Sequence, residues 1–163
     1  MRTASDTPLL YVDQLEKALG SDIPGHERKW AEDVGRALAR VEIAVRQHAA
    51  SVEGPGGMYA QVDLTRPTLA RQVSELRQEH RDFLEQTNLL GNEVLKAAGL
   101  FASRAQPGGE VSKLPEPAGA YAIPDFGAIR QRVEKFIHAL QHHLDVENAL
   151  IVESVTAEIG VGD

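Results

Sequence analysis

Three histidines and a glutamate have the types and spacing of a metal site: His48, His80, His143 and Glu147. Glu147 follows His143 by four residues, so both project from one face of a helix. That face is the apolar one, where an ionised carboxylate is costly unless a positive group accompanies it. Imidazole and carboxylate groups are ligands of iron and zinc. Because the chain has no cysteine, histidines and carboxylates are the side chains left to hold such a metal.

A simpler explanation of each inward histidine is a hydrogen-bonded core residue without a metal. The inner stripe of a helix takes roughly three of every seven positions, so about two or three of the 6 histidines would lie inward by chance. Two details favour a shared site: each long helical segment carries one inward histidine, and one of them has an inward carboxylate four residues later. Glu53 and Glu85 follow His48 and His80 by five residues, about 140° around a helix, and are further candidates.

Three other residues have weaker claims to a metal. Glu79, beside His80, is another candidate ligand. His138 and His142 are four residues apart and could bind a metal together, but they are interpreted as part of a solvated face.

The elements that position these residues are predicted from the spacing of apolar residues. Long amphipathic helices are predicted over 27–53, 67–104 and 124–158, and a short one over 8–19. Segment 58–66 is ambiguous between a connector and a helical turn, and a kink or break is predicted near Gly91. The stripe of the last helix contains Ile129, Val133, Phe136, Ile137, Leu140, Leu144, Ile151 and Val155.

These segments predict an all-α fold, an up-and-down four-helix bundle of three long helices and a short N-terminal helix. At 163 residues the chain suits one domain over 1–163. Its tails are predicted at 1–6 and 159–163. The proline- and glycine-rich stretch 105–123 is predicted to be a long crossover loop.

Charge and hydropathy exclude several classes of protein. A formal net charge of -7 argues against a nucleic-acid-binding protein. No apolar run approaches the roughly 18 residues of a membrane span, and no signal-peptide pattern begins the chain, so we expect a cytoplasmic protein. The Glu-x-x-His pattern of ferritin-like sites is absent, since Arg77 and Leu140 stand three residues before His80 and His143.

Three segments resemble hemerythrin-like (HHE cation-binding) domains: LARVEIAVRQHAASVEG, LRQEHRDFLEQ and LQHHLDVENALI. The resemblance extends over about 27–155 and implies an up-and-down four-helix bundle with a non-heme di-iron pair in its core. It also implies binding of oxygen, sensing of oxygen, nitric oxide or iron, or storage of iron. Carried over by position, the metal ligands would be His48, His80, His143 and Glu147, with Glu53 and Glu85 next. The sequence leaves three alternatives to a di-iron pair: a single iron ion, zinc, or a site that has lost its metal.

The leading hypothesis is therefore a non-heme iron-binding protein whose partner is a small diatomic molecule, not an organic substrate that it turns over. The alternative is a metal-free helical bundle that acts as a protein-interaction or regulatory module through its acidic surface or the 105–123 loop. A third hypothesis is an oxidase or peroxidase that uses the same site. The first helix either completes its own bundle or reaches a second copy in a homodimer.

Overall fold

The computed structural model describes residues 6–104 and 124–156, and the regular secondary structure of these residues is helical throughout. The elements in chain order are α1 Asp6–Leu19, α2 Glu27–Glu53, α3 Met58–Thr65, a 3-10 turn Pro67–Leu69, α4 Ala70–Arg104 and α5 Phe126–Thr156. The bounds of α2 match the predicted 27–53. The segment 58–66, for which the sequence favoured neither a connector nor a helical turn, contains helix α3. The predicted loop 105–123, residues 1–5 and the predicted tail 159–163 lie outside the described residues.

Helices α1, α2, α4 and α5 form an up-and-down bundle, which confirms the predicted all-α architecture. Each neighbouring pair is antiparallel, because residues late in one helix meet residues early in the other. The contacts are Leu19–Trp30 and Gln14–Arg40 for α1 with α2, Glu53–His80 and Gly35–Val94 for α2 with α4, and His80–His143 and Glu93–Arg132 for α4 with α5. For α1 with α5 they are Glu16–Gln141 and, just past the end of α1, Ser21–Arg130.

The predicted apolar stripes form two buried clusters. The larger cluster takes side chains from all four bundle helices, among them Trp30, Phe83 and Phe136. The smaller cluster, at one end of the bundle, contains Val52, Tyr59, Val62, Val73, Leu76 and Leu150. The inward orientation predicted for Val155 is wrong: it is 54% exposed, because the last turn of α5 extends past Leu150, the last buried residue of that helix.

Helix α4 continues through Gly91, so the predicted break is absent from it. The flanking residues Leu90 and Val94 are buried in the larger cluster, and this packing offsets the roughly 1 kcal/mol that a glycine costs in a helix. None of the described helices has an apolar stretch long enough to cross a lipid bilayer.

Helix α3 brings His48 and His80 level with each other. His48 is five residues from the end of α2, whereas His80 is ten residues into α4, so α4 begins about 7.5 Å beyond the end of α2 at 1.5 Å per residue. The turn 54–57, in which Gly56 has a φ of 75°, directs the chain into α3 across this gap. Helix α3 packs on α2, α4 and α5 and forms the fourth wall at this end of the bundle.

Candidate metal centre

The structure brings His48, His80, His143 and Glu147 together between the two apolar clusters. Helix α2 supplies the first, α4 the second and α5 the last two. One ligand atom from each residue lies within 4.8 Å of the others, and no side chain of the set is more than 4% exposed. The face predicted from the spacing of His143 and Glu147 is therefore the face that meets the other two helices.

The rings of His80 and His143 face each other through their Nε2 atoms, which are 2.9 Å apart. Behind each ring stands a carboxylate from a different helix. Nδ1 of His80 lies 2.6 Å from Oε1 of Glu53, and Nδ1 of His143 lies 2.6 Å from Oε2 of Glu79. Because an ionised carboxylate only accepts hydrogen bonds, each Nδ1 must carry the proton that is donated.

These tautomers create an electrostatic conflict at the centre of the site. A neutral imidazole protonated at Nδ1 carries a lone pair at Nε2, so two lone pairs point at each other across 2.9 Å. Such a contact is favourable only when a proton or a metal cation lies between the two nitrogens. A carboxylate behind a histidine whose other nitrogen meets a metal is the usual arrangement in protein metal sites.

Burial makes a protonated His80 unfavourable. Desolvation lowers the pKa of His80, the neighbouring His143 and His48 lower it further, and the hydrogen bond to Glu53 opposes them without outweighing them. The ring is therefore held as the neutral imidazole, which is the form that binds metals.

Glu147 is ionised although its side chain is fully buried. Burial is the largest influence on its pKa and acts to raise it, but the hydrogen bond and charge of His48 and the hydrogen bond of Tyr59 together lower the pKa below its ordinary value. Oε2 lies 2.7 Å from Nε2 of His48, and Oε1 accepts a hydrogen bond of 2.7 Å from the Tyr59 hydroxyl. The carboxylate thus presents Oε2 to His48 and Oε1 to Tyr59.

Tyr59, on α3, is the residue of the site that the sequence analysis missed. Its ring lies nearly parallel to that of His80, at 14° with the centroids 6.0 Å apart, and the Arg77 guanidinium stands 5.5 Å from the ring centroid. Burial and the charge of Glu147 raise the pKa of the Tyr59 phenol, so the hydroxyl keeps its proton and donates it. The sequence signal was faint: Tyr59 and Val62, three residues apart, are the buried residues of a helix without a long stripe.

The other candidates fall into two groups. Glu53 and Glu79 adjoin the cluster and hydrogen-bond its histidines, so they support ligands instead of belonging to the four-residue set. Glu85 is exposed and stays outside the set, because five residues after His80 the helix has turned away from the core. His138 and His142 are exposed, which agrees with their interpretation as a solvated face.

The donor set fits one metal ion. Metal–nitrogen and metal–oxygen bonds of about 2.0–2.2 Å place neighbouring ligand atoms roughly 3.3 Å apart around a tetrahedral ion. An ion would therefore spread the observed contacts of 2.7–2.9 Å by about half an ångström and draw together the more distant pairs of the set, which lie within 4.8 Å. The charges fit as well, since Glu147, Glu53 and Glu79 surround the histidines with negative charge that a divalent cation would offset. In the described part of the chain this is the one group of at least three such side chains with this convergence.

No protein-family profile, curated protein or solved structure matches this chain. What the site can do is therefore argued from its geometry and donor chemistry, which are those of a buried group of three histidines and one glutamate able to hold a metal ion.

Proposed function

We propose that this protein is a hemerythrin-like metal-binding bundle that holds one non-heme iron ion and binds or senses a small diatomic molecule such as oxygen or nitric oxide. One observation carries the metal site. The Nε2 atoms of His80 and His143 lie 2.9 Å apart, while carboxylates hold both Nδ1 atoms, and a cation between the nitrogens resolves this arrangement.

The number of available donors supports one ion instead of a pair. The Nδ1 atoms of His80 and His143 and Oε1 of Glu147 already have protein partners. A second ion that used any of these three atoms would have to displace its hydrogen bond. Helix α3, which forms the fourth wall at this end of the bundle, carries no histidine, and α1 contributes Val12, Leu15 and Leu19 to the larger apolar cluster. The donor atoms of this site are thus enough for one ion of a di-iron centre and not for both.

Iron is proposed from the resemblance, since imidazole and carboxylate donors also suit zinc. Four protein donors leave a coordination position free on an ion that takes five or six ligands, and iron there would supply the electrophilic centre at which a diatomic molecule binds. The residues of the chain supply the rest. They keep the donors neutral or singly charged, fix their directions through Glu53, Glu79 and Tyr59, and exclude bulk water by burial.

The test is the metal content of untagged protein after anaerobic reconstitution with ferrous iron and removal of excess metal. We expect one iron per chain in the parent and none in the double variant His143→Ala, Glu147→Ala. The matched control is His138→Ala, His142→Ala, which removes two exposed histidines from the same helix and should retain the iron.

Two outcomes would contradict the proposal in different ways. Two irons per chain would contradict the single-ion site and restore the di-iron pair. No iron in the reconstituted parent, with the double variant folded as stably as the parent, would favour the metal-free interaction module. If iron is bound, nitric oxide added to the ferrous protein should produce new visible absorption bands that the double variant lacks.

A further inference from the structure

The two oxygens of Glu147 have different partners. Oε2 faces Nε2 of His48, another residue of the ligand cluster, at 2.7 Å. Oε1 accepts the hydrogen bond of the Tyr59 hydroxyl, also at 2.7 Å. Tyr59 therefore touches a ligand of the proposed metal without contributing an atom to the four-residue set, and its contact distinguishes one carboxylate oxygen from the other.

The structure holds the Tyr59 hydroxyl firmly in this position. The side chain is fully buried, and its ring contacts both the ring of His80 and the guanidinium of Arg77. Arg77 is itself fixed by an ion pair of 2.9 Å with Asp63 of α3. Burial and these two neighbours restrict the ring of Tyr59, which keeps the hydroxyl within hydrogen-bond distance of Oε1.

A carboxylate can bind a metal through one oxygen or through both, and a hydrogen bond to one oxygen favours binding through the other. We infer, on the basis of the proposed metal site, that Tyr59 is a positioning residue that holds Glu147 as a one-oxygen ligand through Oε2. The position that Oε1 would otherwise occupy on the metal is then left free for a small exogenous ligand. The same hydrogen bond withholds Oε1 from a second ion, for which a bridging carboxylate would need it.

The variant Tyr59→Phe tests this role because it removes the hydroxyl and keeps the ring that contacts His80 and Arg77. Tyr11→Phe makes the same chemical change at a half-buried tyrosine that packs on the larger apolar cluster, and it serves as the control. Cobalt(II) is the probe, since its visible absorption weakens as its coordination number rises from four to five or six.

We expect Tyr59→Phe to bind cobalt about ten-fold more weakly, at the lower end of the roughly 10–100-fold losses seen for groups that orient metal ligands. We also expect a loss of visible intensity as both oxygens of Glu147 bind, while Tyr11→Phe matches the parent. A residue with a merely structural role would change the unfolding temperature and leave the cobalt spectrum as it is.

A second measurement reports directly on how Glu147 binds the metal. The measurement is the infrared difference spectrum between the zinc-loaded and the metal-free parent. In such a spectrum, a carboxylate that binds the metal through one oxygen shows a wide separation between its antisymmetric and symmetric stretching bands. We expect that wide separation in the parent and a narrower one in Tyr59→Phe.

The outcomes separate this inference from the proposed function. A parent that binds neither cobalt nor zinc overturns the metal site and this inference with it. If the parent binds metal, two results would contradict the role of Tyr59 while leaving the metal site in place. One is a narrow separation of the carboxylate stretches in the parent, and the other is a cobalt spectrum of Tyr59→Phe that equals that of the parent.

Discussion

The Nε2 atoms of His80 and His143 lie 2.9 Å apart in the buried centre of the bundle. Each ring is held from behind by a carboxylate 2.6 Å from its Nδ1, so neither ring can turn its protonated nitrogen toward the other without losing a hydrogen bond. The carboxylates therefore decide which nitrogens face the centre.

Removing the charge behind either histidine is expected to weaken metal binding. Glu53→Gln and Glu79→Gln keep an oxygen that can accept from Nδ1 but lose the negative charge, and each should cost roughly 10–100-fold in metal affinity. The loss should be larger for Glu53, whose side chain is 29% exposed, than for Glu79, at 49%, because solvent screens the more exposed charge. Competition with a chromophoric chelator measures the affinities.

Glu85→Gln is the matched control for these two variants. It removes a carboxylate from the exposed side of α4 and should leave the affinity unchanged. If all three variants lost affinity equally, the effect would come from the overall charge of the protein and not from the hydrogen bonds to His80 and His143.

Metal is expected to stabilise the folded protein. Because the site exists only when α2, α4 and α5 are packed together, metal at 100 times its dissociation constant should add about 2.7 kcal/mol to the free energy of unfolding. For a chain of this size that corresponds to a rise of about 5–10 °C in the midpoint of thermal unfolding. The rise should vanish in chelator and in the double variant His143→Ala, Glu147→Ala; an equal rise in that variant would place the stabilising metal elsewhere.

The helices and the ligand-bearing residues on them were predictable from the sequence because both follow from local spacing. The 3.6-residue period marks which residues of α2, α4 and α5 face inward, and His48, His80, His143 and Glu147 occupy such positions. Val155 was wrongly predicted to face inward because the apolar spacing of α5 continues beyond the point at which neighbouring helices cover it.

The partners of the ligands were not predictable, since they depend on the register between helices. Glu53 follows His48 in the sequence but hydrogen-bonds His80 on α4, and Glu79 adjoins His80 but hydrogen-bonds His143 on α5. The contact between Tyr59 and Glu147 spans 88 positions. No local pattern encodes such a pairing, which arises only when α3 crosses the end of the bundle.

Acid is expected to destabilise the metal-free protein in a window that begins near pH 6.5. Burial lowers the pKa of His80 from its ordinary 6.5, so the unfolded chain takes up a proton at a pH where the folded chain does not. The contribution of His80 to stability is therefore complete above pH 6.5 and is lost as the pH falls toward the folded pKa, with a slope of at most about 1.4 kcal/mol per pH unit. Urea unfolding in chelator, between about pH 7.5 and 5.5, measures it.

His80→Gln should reduce this slope, whereas His138→Gln, at an exposed position, should not. A free energy of unfolding that rises between pH 6.5 and 5.5 would contradict the assignment of a neutral His80. Glu147 makes the free energy of unfolding fall with decreasing pH in a second, more acidic range. Its pKa lies below the ordinary 4.5, so its contribution to stability is complete above pH 4.5 and is lost in stronger acid.

The turn before α3 is expected to control both stability and the metal site. A Cβ at Gly57 would lie 2.5 Å from the carbonyl oxygen of Val52 and 2.6 Å from that of Ser51. These are backbone atoms of α2 that cannot move aside as a flexible side chain can. Gly57→Ala should therefore cost about 1–3 kcal/mol, as overpacking usually does, and the relief of the clash should displace the start of α3.

The displacement should also weaken metal binding, because α3 carries the hydroxyl that holds Glu147 through Tyr59. Gly25→Ala separates the two effects. Gly25 has a φ of 79°, where an alanine is strained, but a Cβ there meets nothing within 4 Å, and the residue lies in the turn between α1 and α2. We expect Gly25→Ala to lower the free energy of unfolding by about 1 kcal/mol with metal affinity intact, and Gly57→Ala to lower both. Equal metal affinity in the two variants would mean that the position of α3 does not govern Glu147.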